Sequence, residues 1–189
     1  MDALDLLLNR VSVTRLFDPA PDEAQLDLLF RAALRAPDHG QLRPWRFLVI
    51  QGTARERLGE LFVESLKLSD PDCSEEALQK ARKMPLRAPM LVVVVARLQS
   101  HPKVPESEQA LAAACAAHGL LLAAHAQGLG AVWRTGAFSY DEHVARGLEL
   151  EAHERLLGFI YLGTPEERRL RTPPALEPRD FVSQWHGGV

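Results

Sequence analysis

The run Met90-Leu91-Val92-Val93-Val94-Val95 constrains the fold more than any other part of the chain. It is apolar without interruption and largely β-branched, so it disfavours helix and leaves no polar face for water. Such a run reads as a central strand buried on both faces. The chain reaches it through Ala88-Pro89, where the residue before proline is pushed out of the helical region. Further strands are predicted at 45–51, 131–134 and 156–163. Helices are predicted over 2–9, from the Asp22 cap to Leu34, from Gly52-Thr53 to Lys67, from Ser74, from Glu106 to Gly128, and over 141–147. Strands separated by long helices make a layered α/β sandwich. No repeat or linker interrupts the pattern, so 1–189 is expected to form a single domain.

A hydrophobic content of 47% argues against disorder, and a net charge of -3 supplies no basic field for nucleic acid or anionic membrane. Cys73 and Cys115 have neither framework nor metal-type spacing, and the N-terminus is acidic where a secretion signal needs positive charge. A cytoplasmic protein is the expectation. The alanine-rich stretch 111–126 carries His118 and His125 and is short for a bilayer, so it reads as a buried helix of a globular protein. Gly119 within it would let a neighbouring helix approach closely.

Three segments carry possible chemistry. In Arg10-Val11-Ser12 a guanidinium and a hydroxyl two residues apart can reach one phosphate from an extended hinge, although such a pair often meets only solvent. The second segment, Arg35-Ala36-Pro37-Asp38-His39-Gly40-Gln41-Leu42-Arg43-Pro44-Trp45, ends a helix and turns through glycine into a strand. Its cation and imidazole suit an anionic, planar ligand. The third, His125-Ala126-Gln127-Gly128-Leu129-Gly130-Ala131-Val132-Trp133, closes a helix and opens a strand, with glycines that permit positive φ and close backbone approach to a ligand. Those glycines follow a helix, so they do not form a dinucleotide fingerprint, and no phosphate-cradling loop with a terminal lysine occurs. His118 and His125 lie roughly 10 Å apart along one helix, too far to share a metal ion. No serine sits in a nucleophile elbow.

Taken in order, these three segments resemble the flavin-dependent nitroreductase family, and within it the minimal, insertion-poor NAD(P)H nitroreductase branch. The resemblance extends over nearly the whole chain, to Phe159-Ile160-Tyr161-Leu162-Gly163-Thr164-Pro165. It implies an α+β fold: a three-layer α/β/α sandwich with a mixed, mainly antiparallel sheet and an extended C-terminal arm. It also implies FMN held between the subunits of a homodimer with shared active sites, and NADH or NADPH as donor. Hydride would pass through the flavin N5 to a small acceptor such as a nitroaromatic or a quinone. Arg10, Val11 and Ser12 would hold the phosphate and ribityl end, while Arg35 and His39 would reach the same flavin from the other subunit. Ala131, Val132 and Trp133 would offer backbone contacts along the ring. Leu121, Leu122, Ala123, Ala124, His125 and Ala126 would align with a nicotinamide-binding segment. No side chain is implied as a catalytic acid or base, and no metal is implied. The chain departs from the family at Val11, which lacks a second basic group, at Thr14, which lacks a cation near the flavin, and at Arg43, where glutamine is usual. A flavin-binding module with little turnover, or reductive dehalogenation, is the alternative reading.

Overall fold

The computed structural model describes residues 2–166 and 172–187, so part of the arm expected after Pro165 lies outside it. Among the described residues, helices α1 (Ala3–Asn9), α2 (Glu23–Ala33), α3 (Ala54–Ser69), α4 (Glu75–Lys83), α5 (Glu106–Ala126) and α6 (Glu142–Gly147) surround one sheet. Its strands are β1 (Leu16–Phe17), β2 (Trp45–Gln51), β3 (Met90–Arg97), β4 (Gly130–Arg134) and β5 (Glu154–Pro165). β3 lies between β2 and β5, while β4 and the short β1 share the far edge of β5. Every one of these pairings is antiparallel, so the parallel component of the expected mixed sheet is not among them.

The alternation of side chains along β3 builds the layers. Met90, Val92, Val94 and Ala96 enter a core with Leu29 and Ala33 of α2 and Ala113, Ala116, Ala117 and Leu120 of α5. Leu91, Val93 and Val95 enter the opposite core with Leu58 and Phe62 of α3, Leu78 of α4 and Val144 of α6. All seven are at most 2% exposed, as expected of a strand buried on both faces. The result is an α/β/α sandwich of the α+β class.

Helix starts follow the local chemistry. Asp22 and Gln25 form a reciprocal capping box at α2, Ser74 accepts from Ala77 at α4, and Asp141 accepts from Val144 at α6. α5, with 21 residues, is long and apolar enough to cross a membrane by composition. Packing, and not length, makes it a core helix, with Ala113, Ala116, Ala117, Leu120 and Ala124 fully buried. A Cβ at Gly119 would stand 3.1 Å from the Ala32 carbonyl oxygen, so the missing side chain is what lets α2 close on α5. The small-residue faces of α5 are thus used within the chain. Leu111, Cys115 and His118 form its exposed stripe, and α1 alongside presents Leu4, Leu7 and Leu8 to solvent. The C-terminal segment 172–187 has no helix or strand apart from one short turn at Pro178–Asp180, and it leaves Leu176, Phe181, Val182 and Trp185 exposed.

One buried ion pair ties the sheet end to the loop before β5. The Glu154 side chain, 2% exposed, accepts from Arg46 Nε at 2.8 Å and from Arg46 Nη2, and the Glu151 backbone N–H donates to it at 3.1 Å. The Arg46 bond holds the Glu154 carboxyl below the ordinary 4.5, overcoming the opposing effect of burial. A depressed folded value means the stabilisation is present above pH 4.5 and is lost as pH falls through the folded value. Glu154→Gln should destabilise the fold at neutral pH by about 2–3 kcal/mol, less than for a fully buried pair because Arg46 keeps partial access to water. Urea unfolding at two pH values tests this: the gap between wild type and variant should close in acid, and an unchanged gap would assign the effect to shape instead of charge.

Candidate functional site

The hinge that follows α1 is held at the sheet by one backbone bond, from Val13 N–H to the Ala131 carbonyl at 2.9 Å. Arg10, Val11 and Ser12 immediately precede this anchor, so the chain holds them near the start of β4. Gly130 makes this possible. A Cβ there would stand 2.4 Å from Leu16 Cδ2 and 3.3 Å from Val13, so the space expected to admit a ligand is filled by the hinge itself. Gly128, at φ 72°, closes α5, with Leu129 N–H reaching the Ala124 carbonyl at 2.9 Å. The end of α5 joins this group unevenly. Leu121 and Ala124 are core residues; Leu122, Ala123 and His125 are half-buried and Ala126 is exposed. Only the latter four have surface to offer a ligand.

Trp133 is fixed by a bulge that no predicted strand boundary announced. Val94 pairs with Gly158 and Val95 with Leu156, so β5 carries an extra residue at Leu157. The Leu157 carbonyl accepts from the Trp133 indole Nε1 at 3.1 Å. The bulge also reverses the facing of β5, with Leu157, Ile160 and Leu162 toward α5 and Leu156, Phe159 and Tyr161 toward α3. Gly158, at φ 130°, is required here, because a Cβ would stand 2.6 Å from both the Arg134 carbonyl oxygen and the indole nitrogen. A glycine inside a strand pattern is the signal that could have revealed it.

Arg35 and His39 lie elsewhere in the chain. His39 Nδ1 and Glu108 Oε2, in the first turn of α5, are 2.8 Å apart, a partner no spacing rule announced. α2 runs antiparallel to α5: the Gln127 side chain donates to the Gln25 carbonyl at one end, and Gly119 faces Ala32 and Ala33 toward the other. Arg35 follows the C-terminal end of α2. The two groups of candidate residues thus sit at opposite ends of α5, and Glu108 to Ala126 is about five turns, or roughly 27 Å of rise. Within one chain they do not form one site.

The charges at both ends are available. Among the described residues no carboxylate pairs with the guanidinium of Arg10, Arg35 or Arg43. Arg15 lines one cleft with Thr14, Arg55 and Arg87, and its guanidinium lies 3.9 Å from Glu166. No cluster of metal-ligating side chains occurs among the described residues.

Gly158→Ala should force the Trp133 indole off the Leu157 carbonyl and destabilise the fold by about 2–4 kcal/mol. The Trp133 indole N–H resonance reports it directly, and an unmoved signal in a folded variant would show that the bulge does not hold this ring.

Known proteins resemble the chain in sequence and in fold. A family model, the Nitroreductase family, matches residues 7–164. The "Putative NAD(P)H nitroreductase YdjA" of Escherichia coli (strain K12) is 40% identical over 185 residues, 98% of this chain and 100% of its own length. A nitroreductase-like family protein from Bacillus cereus, solved by crystallography, shares the fold with a TM-score of 0.81 at 22% identity, covering 99% of this chain and 97% of its own. A crystal structure titled as a putative nitroreductase in complex with FMN, from Desulfovibrio desulfuricans, gives a TM-score of 0.73 at 20% identity over 98% of this chain and 97% of its own. The chain belongs to the nitroreductase family.

Proposed function

We propose that the protein is a cytoplasmic, homodimeric, FMN-dependent NAD(P)H oxidoreductase, one domain per chain, whose two active sites are each shared between subunits. The observation that carries this reading is the separation of the two groups of candidate residues along α5. A two-fold axis that lays one α5 antiparallel to the other brings the Ala126 end of one chain to the Glu108 end of its partner. Arg10 and Ser12 of one subunit then meet Arg35 and His39 of the other. The exposed stripe of α5 and the apolar face of α1 are surfaces such a dimer would cover, and the exposed Phe181 and Trp185 of the C-terminal segment suit an arm laid on the partner.

The residues fit FMN by their chemistry. An unpaired guanidinium beside an exposed hydroxyl suits a phosphate, Val11 adding a backbone donor, and the β4 edge at Ala131, Val132 and Trp133 suits the polar margin of a flat ring. Bound there, FMN supplies the two-electron chemistry that takes hydride from NADH or NADPH and delivers it to a nitroaromatic, quinone or similar acceptor. The side chains bind, orient and exclude water; none is required as an acid or base. Leu122, Ala123, His125 and Ala126 lie where the donor's nicotinamide would approach, with Leu121 and Ala124 backing them.

Titration with FMN followed by anaerobic addition of NADH or NADPH tests the reading: flavin absorbance should appear on binding and bleach on reduction. Persistent colour would indicate a binding module without turnover, and no bound flavin would overturn both. Arg10→Ala should cost on the order of 2–4 kcal/mol of FMN affinity, more than Arg10→Lys. Mixed dimers of an Arg10→Ala chain with an Arg35→Ala, His39→Ala chain should recover activity, because one of the two sites escapes both lesions. No recovery from verified mixed dimers would mean that the sites are not shared.

A further inference from the structure

The loop between α2 and β2 holds an unusual conformation. Gly40, Gln41 and Arg43 have φ angles of 75°, 53° and 50°, in the left-handed region that is sterically costly for any residue but glycine. Asp38 holds the loop there. Its Oδ1 accepts from Leu42 N–H at 3.2 Å and its Oδ2 from Arg43 N–H at 2.7 Å, while the Arg43 carbonyl accepts from Trp45 N–H at 2.9 Å. Such outliers persist where the surroundings over-determine them, and they collect at ligand clamps. Here the loop sets Arg43 and Gln41 on one cleft with Arg35, walled by the nearly buried Trp45. The anionic group at this cleft, Asp38, is occupied by the two backbone N–H groups, and neither guanidinium has a carboxylate partner among the described residues. The cleft is therefore net cationic, with two forked donors beside an indole. Its volume of ≈ 310 Å³ is at the small end for ligand sites and suits one ring better than a dinucleotide.

We infer that this cleft binds the carboxylate or sulfonate of a planar aromatic acceptor, and that Arg43 is the specificity-determining residue. The inference rests on the proposed oxidoreductase reading, in which Arg35 belongs to the shared site. A guanidinium pairs such groups through parallel N–H bonds, which an uncharged side chain at this position cannot supply. The acceptor's anion, and not the phosphate of the donor nucleotide, is the assigned partner.

Two measurements on the full-length dimer test this. Calorimetric titration compares benzoate with its neutral isostere benzamide, and steady-state kinetics compares 4-nitrobenzoate with 4-nitrobenzamide under one saturating donor. Wild type should favour the anionic member of each pair by about tenfold, the difference lying in Kd and KM. Arg43→Gln should abolish the preference, and Arg43→Lys should keep part of it. Gln41 shows that glutamine is accommodated at this φ, so Arg43→Gln changes charge without asking new geometry of the backbone. Arg43→Gly, which relaxes the backbone as well, should behave like Arg43→Gln. A preference that survives in Arg43→Gln, or an equal fall for both members of each pair, overturns the inference. A change in the NADPH-to-NADH ratio with the acceptor ratio intact also overturns it, by assigning the cation to the donor's phosphate. Absence of NAD(P)H oxidation would overturn the enzyme reading alone, while Arg43-dependent benzoate binding would still uphold the anion cleft.

Discussion

The burial of β3 on both faces governs the rest of the structure. With β2 on one side and β5 on the other, its backbone polar groups are satisfied within the sheet, and its side chains alternate between two dry cores. Each buried valine is worth roughly 1.5–3 kcal/mol relative to exposure, so neither face can be left to water. Two helical layers follow of necessity. One of them must place a long helix close to the sheet, and α5 does so with alanines that keep the spacing short and a glycine that lets α2 close in.

That packing has a consequence for function, because α5 also sets the distance between the candidate residues. The hinge is bonded to the Ala131 backbone and the loop pairs with Glu108 in the first turn of α5, so the two lie at opposite ends of this core helix. A flexible loop could have folded one group onto the other. A helix buried along its length cannot. The separation between the two groups is thus fixed by the same alanines that fill the core.

Much of this was legible in the residues. The valine run, the Ala-Pro breaks and the capping residues Asp22, Ser74 and Asp141 announce their elements directly, because each acts through a local constraint on φ, ψ or a backbone donor. What stayed hidden depends on pairing across the chain. β1 has two residues and no periodicity to detect, so Leu16-Phe17 was not among the predicted strands. The bulge at Leu157 exists only relative to β3, although Gly158 hinted at it. Gly130 was rightly read as close approach but assigned to a ligand, where Leu16 and Val13 fill the space. Length, alanine content and two histidines discounted 111–126 as a membrane span; the helix is in fact long enough, and its burial is the sounder reason. The positive φ of Gln41 and Arg43 follows from Asp38, whose side chain could equally have capped a turn of ordinary geometry.

The distribution of ion pairs bears on the site more than the net charge does. In a chain with more carboxylates than cations, several arginines find a partner: Arg15 with Glu166, Arg31 with Asp27, Arg46 and Arg97 with Glu154, Arg82 with Glu60, Arg146 with Glu142 and Arg155 with Glu106. Among the described residues Arg10, Arg35 and Arg43 have none, and they share this with others such as Arg57 and Arg87. Their grouping is what sets them apart. Arg10 stands in the same hinge as the exposed Ser12, and Arg35 and Arg43 line one cleft with Trp45, with the local carboxylate turned to its own backbone. An exposed surface pair is worth little, so leaving a cation unpaired in water costs the fold almost nothing. It keeps a guanidinium free for an anion that arrives partly desolvated, where the same group is worth far more.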